Sequence, residues 1–167
     1  MNHQGIKTRS CELYFIPIST RMPLKFGIET LTEVVLARTK VEVATSGGKQ
    51  CSGWGETPLS VQWVWPGSLP YQERLNAMQT FCEILARAVV EFDLSADPIE
   101  LGWQFQITQL PQLLDTFNMN HRKDKESMPW LAALVCLSAF DIAIHDAFGN
   151  VHDRSIFKCY DEAFLQY

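Results

Sequence analysis

Alternation is clearest between Glu33 and Thr45, where Val35, Ala37, Thr39, Val41 and Val43 fall on one face and Arg38, Lys40 and Glu42 on the other. A period of two predicts a half-buried strand. Before it, Ser10 to Ile18 reads Ser-Cys-Glu-Leu-Tyr-Phe-Ile-Pro-Ile, a run of strand formers with Pro17 near its end or on an edge. Thr20 to Phe26 carries Arg, Pro and Lys and reads as a loop. Ser46-Gly47-Gly48-Lys49 predicts a hairpin turn, since adjacent glycines accept positive φ. Gln50 to Glu56 returns as a third strand, in which Gly53 and Gly55 suggest a close backbone approach or a bulge.

The period then changes. Thr57 to Pro70, broken by Pro58, Pro66, Gly67 and Pro70, reads as a loop. From Tyr71 to Phe92 the residues Leu75, Met78, Cys82, Leu85, Val89 and Phe92 recur three and four apart, one apolar stripe of a helix. Asp97-Pro98-Ile99-Glu100 predicts a second helix start. Asp97 caps, Pro98 suits the first turn and Glu100 can complete a capping box. Pro111 is expected to end or kink that helix. His121 to Ser127 is a charged loop, and a helix from Met128 or Pro129 to Gly149 is apolar on most faces, with Gly149 as its cap. Strands followed by helices predict an α+β domain: a three-stranded antiparallel meander with a helical set on one face.

The 167 residues suit one domain. A net charge of −5 leaves no excess of Lys and Arg to neutralise phosphates, which argues against a nucleic-acid partner. Cys11, Cys51, Cys82, Cys136 and Cys159 are odd in number and scattered, with no Cys-x-x-Cys spacing. They read as reduced thiols of a cytoplasmic protein rather than a zinc site or a disulfide framework. Met1 to Arg9 is a flexible polar N-terminus without the apolar core of a secretion signal. Met128 to Leu137 is too short to span a membrane.

Gly53-Trp54-Gly55-Glu56 closes the strands, and Ala139-Phe140-Asp141-Ile142-Ala143-Ile144-His145-Asp146-Ala147-Phe148-Gly149 closes the apolar helix. In this order and spacing they resemble the N-terminal capping domain of the enolase superfamily, in its mandelate racemase and muconate lactonizing branch. The resemblance implies a capping domain over residues 10–149 and a linker over 150–167 that would lead into a catalytic barrel. It implies that the complete protein abstracts a proton next to a carboxylate with Mg²⁺, as a racemase, cycloisomerase or dehydratase acting on a small carboxylate substrate. The residues for that chemistry would sit on the barrel, so this chain is expected to hold no catalytic residue and to bind no cofactor itself. The resemblance also implies a substrate lid. Its loops would be Thr20 to Phe26, with Arg21 and Lys25 to meet a carboxylate, and Thr57 to Pro66, with Trp63 and Trp65 as large apolar surfaces needing cover.

Other groups carry plainer readings. Lys123-Asp124-Lys125 imitates a Lys-x-Lys base pair but reads as a solvated charge run. Glu56 reads as a strand-end residue with a structural or docking role, and His152-Asp153 as a loop pair rather than a metal site. Asp141, His145 and Asp146 suggest a metal site, since positions i and i+4 share a helical face, but no third ligand is apparent on that face. Two alternatives to the capping reading remain: a stand-alone binding or interaction module that kept this fold, and a small unrelated enzyme using Asp141 and His145. As a cap, the chain is expected to meet a barrel partner, or to self-associate through an apolar face that includes Trp63, Trp65 and part of the helix Leu131 to Phe148.

Overall fold

The computed structural model describes residues 5–26 and 29–165. Three strands come first: β1 (Ile6–Phe26), β2 (Glu29–Thr45) and β3 (Gln50–Pro58). They form an antiparallel meander in the order β1-β2-β3. Helices follow: α1 (Val61–Val64), α2 (Tyr71–Glu91), α3 (Pro98–Thr108), α4 (Leu110–His121) and α5 (Trp130–Val151), with a 3₁₀ turn at Ile156–Lys158. This is the expected α+β arrangement of strands, then helices.

The sheet is longer than its sequence suggests. β1 opens at Ile6, which is fully buried and bridges to Ala96, so strand structure reaches into the segment 1–9 read as flexible; Met1–Gln4 lie outside the described residues. At the other end Thr20 to Phe26 is not a loop. β1 and β2 continue as a two-stranded ribbon out to the pair Phe26↔Glu29, with a register shift between Ser19 and Leu24. That irregularity holds Arg21 and Pro23, two of the residues whose presence argued for a loop, while Lys25 is paired with Thr30: Pro has no N–H for the ladder but is tolerated at a bulge. β3 pairs with Leu36 to Ala44 of β2, so among the described residues the ribbon beyond Leu36 has no third strand.

On β2, Ala37, Thr39, Val41 and Val43 are buried as the alternation predicts. They face α5, the central helix. Its residues Ala139, Ala143 and Ala147 recur every four positions and are fully buried, while Gly53 and Gly55 of β3 lie against them. A Cβ on Gly53 would stand 2.7 Å from Ala147 Cα, and one on Gly55 would stand 2.5 Å from Ala143 N. The two glycines therefore serve close approach. No register shift interrupts β2 and β3, so there is no bulge, and the strand runs past Glu56 to Pro58. Polar bonds fix the depth of the contact. Thr39 Oγ1 donates to the Ala139 carbonyl at 2.9 Å, Trp54 N–H donates to Asp146 Oδ2 at 2.8 Å, and Asn150 Nδ2 donates to the Ser52 carbonyl at 3.0 Å.

α2 buries the stripe Leu75, Met78, Cys82, Leu85 and Val89. Asp97 caps α3, accepting from the amides of Ile99 at 3.0 Å and Glu100 at 3.1 Å. Glu100 accepts from Gln104 Nε2 rather than closing a capping box. Pro111 sits in the first turn of α4, so it opens a helix instead of ending one; the first turn is where a missing N–H costs nothing. Likewise Gly149 lies inside α5, which runs on to Val151. Its bare Cα is needed because a Cβ there would stand 2.8 Å from the Arg154 carbonyl oxygen. By length and composition α5 would be apolar enough to cross a membrane; here it is the core helix, packed on the sheet and on α2. All five cysteines are free, and burial pushes the Cys11 thiol up to about 12, with Glu12 adding to the shift.

Candidate functional site

Among the four lid candidates, Arg21 and Lys25 are exposed on the outer part of the β1–β2 ribbon, beside Met22, which is 70% exposed. Trp63 is 60% exposed on α1. α1 starts at the base of the ribbon, where Leu59 N–H donates to the Val35 carbonyl at 2.8 Å. Trp65 lies elsewhere: it is 1% exposed and part of the main core. Its indole Nε1 donates to Glu126 Oε1 at 2.7 Å, and the Arg122 guanidinium lies over its ring at 5.3 Å. Arg74 donates to the Trp65 carbonyl. Arg122 is buried, donates through Nε to the Glu126 carbonyl at 3.0 Å and pairs with Glu73 at 3.2 Å. Lys125 pairs with the same Glu73 oxygen at 3.0 Å and, with Arg122, holds that carboxyl below its ordinary value. The Glu126 carboxylate also lies against Gly67, where a Cβ would stand 2.8 Å from Glu126 Cδ and push that carboxylate aside. A tryptophan in a proline-bounded loop looks exposed in a sequence. Here charged groups 57 to 61 positions downstream give its indole a partner, and no local pattern records that.

The outer face of the sheet carries a polar and aromatic ladder. Tyr14 stacks on Trp54 with centroids 6.2 Å apart, Lys40 pairs with Glu12 at 3.1 Å, and Arg38 pairs with Glu56 at 2.6 Å. Glu56 is thus a cross-strand partner. An open groove of about 470 Å³ lies beside it, lined by Arg38, Trp54, Gly55, Glu56 and Ile142.

The opposite flank of α5 holds a second groove, about 340 Å³, between α3 and α5. Ile99, Gly102, Trp103 and Gln106 form one wall; Leu134, Leu137, Ser138, Asp141 and His145 form the other. Trp103 and Ile99 are 55% and 50% exposed at its rim. The Asp141 carboxylate turns against the α3 backbone into the space that Gly102 leaves free. His145 Nε2 is 3.9 Å from Asp141 Oδ1, and His145 Nδ1 shares a hydrogen bond of 2.8 Å with the Tyr160 hydroxyl. Burial raises the Asp141 pKa, partly opposed by His145, and burial lowers that of His145, partly opposed by Asp141 and Asp97. The i, i+4 spacing brought Asp141 and His145 together in the sequence. Tyr160 and the α3 wall were not legible there, because they arrive from separate elements. Asp146 points to the other side of the helix, onto β3.

No protein-family model matches the chain, and no curated protein matches it. Its fold, however, recurs in solved structures. A dipeptide epimerase from Enterococcus faecalis V583, complexed with Mg and the dipeptide L-Leu-L-Tyr, superposes over 91% of this chain with a TM-score of 0.52 and 14% identity. An enolase from Bradyrhizobium, complexed with magnesium and mandelic acid, superposes over 92% with a TM-score of 0.52 and 12% identity. The chain therefore shares its fold with a part of each of these two enzymes. It spans 34% of the length of each of these two enzymes. Among the described residues no three His, Cys, Asp or Glu side chains gather to hold a metal ion. Asp141 and His145 form a pair without a third ligand, so these residues do not fit a magnesium centre.

Proposed function

We propose that this chain is the capping and substrate-lid part of an enolase-type protein, working with a barrel carried on further polypeptide. The observation that carries the reading is the fold likeness, which takes in nine tenths of this chain and one third of two enzymes. In this reading the barrel holds Mg²⁺ and abstracts the proton α to the carboxylate of a small acid, in the cytoplasm. Arg21 and Lys25 on the ribbon and Trp63 on α1 close over the barrel mouth: the cations meet the carboxylate and the indole excludes water. Trp65 anchors the second lid segment from within the core. The cap's own residues bind and shield, and none of them moves a proton.

A cap also needs a face for its barrel, and Ile99, Trp103, Ile107, Trp130 and Leu131 leave large apolar side chains exposed on α3 and α5. Exposed apolar side chains of this size promote association where they meet in one patch. The test is light scattering over a concentration series with a hydrophobic-dye titration beside it, in the presence and absence of an enolase-type barrel. The expected result is self-association or dye binding by the folded chain alone, suppressed when the barrel is added. A monodisperse monomer without dye binding would favour the stand-alone module.

A further inference from the structure

The groove between α3 and α5 combines an apolar floor and an exposed indole with a feature that the capping reading does not use, a carboxylate lacking a strong counter-ion. Leu134, Leu137 and Ile99 supply the apolar surface, and the Trp103 ring stands at the rim. Among the described residues the only ionic partner of Asp141 is His145, at 3.9 Å. His145 is itself engaged by the Tyr160 hydroxyl. Burial lowers the His145 pKa, so at neutral pH the imidazole is uncharged and brings no positive charge to the carboxylate. Desolvation in turn disfavours ionised Asp141. A cation arriving in the groove would restore the missing counter-charge.

We propose that this groove seats one arginine side chain of the docked protein partner, with Asp141 as its counter-charge and Trp103 as its aromatic wall. The inference rests on the docking reading above and adds the partner's chemistry at one point. A guanidinium suits the site better than an ammonium. Its planar fork binds a carboxylate through two donors and stacks on an indole, and its methylene stem lies well on Leu134 and Ile99. Gly102 keeps the approach open, because any larger residue there would displace the Asp141 carboxylate. The exposed apolar residues around the groove would be covered by the same partner, and one buried charge pair among them fixes the register of docking.

The test titrates N-acetyl-L-arginine methylamide into ¹⁵N-labelled full chain and follows the amides of Gly102 and Asp141 and the Trp103 indole N–H. The isosteric N-acetyl-L-citrulline methylamide serves as the neutral control. Saturable shifts confined to the groove with the arginine probe, absent with citrulline, are expected. Asp141→Asn should weaken the arginine response roughly tenfold, the loss of one charge-assisted contact, while its spectrum outside the groove stays native. Trp103→Ser should weaken it as well, which provides a second variant if Asp141→Asn perturbs the fold. Equal shifts with citrulline, or an unchanged response in Asp141→Asn, would overturn the seat. The dye titration separates this from the docking reading: dye binding retained while the arginine probe gives no shift sinks the arginine seat alone.

Discussion

Gly53 and Ala147 touch backbone to backbone, so closely that a Cβ on the glycine would stand 2.7 Å from the alanine's Cα. Two positions along β3, Gly55 stands in the same relation to Ala143. The sheet and α5 therefore pack at a distance only glycine and alanine permit. Overfilling such a contact costs about 1–3 kcal/mol or more, because backbone rather than a flexible side chain must yield. Gly55→Val is expected to lower the urea midpoint strongly, and Gly55→Ala measurably. Lys123→Ala, on an exposed loop, should leave it unchanged. Similar midpoints for Gly55→Val and Lys123→Ala would contradict the packing of β3 on α5.

The two tryptophans of the second lid segment should separate cleanly. Trp65→Ala removes a core side chain and leaves the Glu126 carboxylate without its indole donor and Arg122 without its aromatic face. A loss of about 3–5 kcal/mol is expected. Trp63→Ala should change stability by no more than about 0.5 kcal/mol. Chemical denaturation of both variants checks this, and equal losses would mean that α1 is turned differently.

The apolar rim of the α3–α5 groove should be separable from stability. Replacing both Ile99 and Trp103 by Ser removes two half-exposed side chains. Dye binding and self-association should fall while the melting temperature changes little. If dye binding is unaltered, the sticky face lies on the ribbon, around Met22 and Leu24, and not on α3.

Stability should also depend on pH through Asp141 and His145. Burial raises the folded Asp141 pKa above its ordinary 3.8, so the native state holds its proton longer than the unfolded chain. As pH rises from about 3.8 through the folded pKa, this group makes folding less favourable. His145 runs the other way. Its folded pKa lies below 6.5, the unfolded chain binds the proton first, and stability rises with pH up to about 6.5. Asp97 and Tyr160 also face the imidazole, and Asp97 opposes its loss of charge. Asp141→Asn is therefore expected to raise stability at neutral pH relative to pH 4, and His145→Gln to flatten the rise toward 6.5. Urea midpoints from pH 4 to 8 read both slopes; parallel curves for all three proteins would show the pair to be freely solvated.

The sequence by itself determined the order of strands and helices, the face of β2 that is buried, the stripe of α2 and the cap at Asp97. These depend on periods of two and 3.6 and on one residue bonding its near neighbours, so they are written locally. Gly53 and Gly55 also pointed to a close approach or a bulge, because a missing side chain is visible in any sequence. Tertiary structure alone decided what approaches them, since Ala139, Ala143 and Ala147 lie more than 80 positions away. It decided that Thr20 to Phe26 pairs as a ribbon, because β2 supplies the partner that a run containing Arg, Pro and Lys does not predict. It decided that Trp65 is core and Trp63 is not, although both sit in one proline-bounded segment, because only one of them meets Arg122 and Glu126. The α3–α5 groove is of the same kind. Asp141 and His145 share a helical face by spacing, but the indole, the glycine gap and the tyrosine hydroxyl that give them a setting come from other elements. Their arrival depends on how those elements pack, which no short window of sequence encodes.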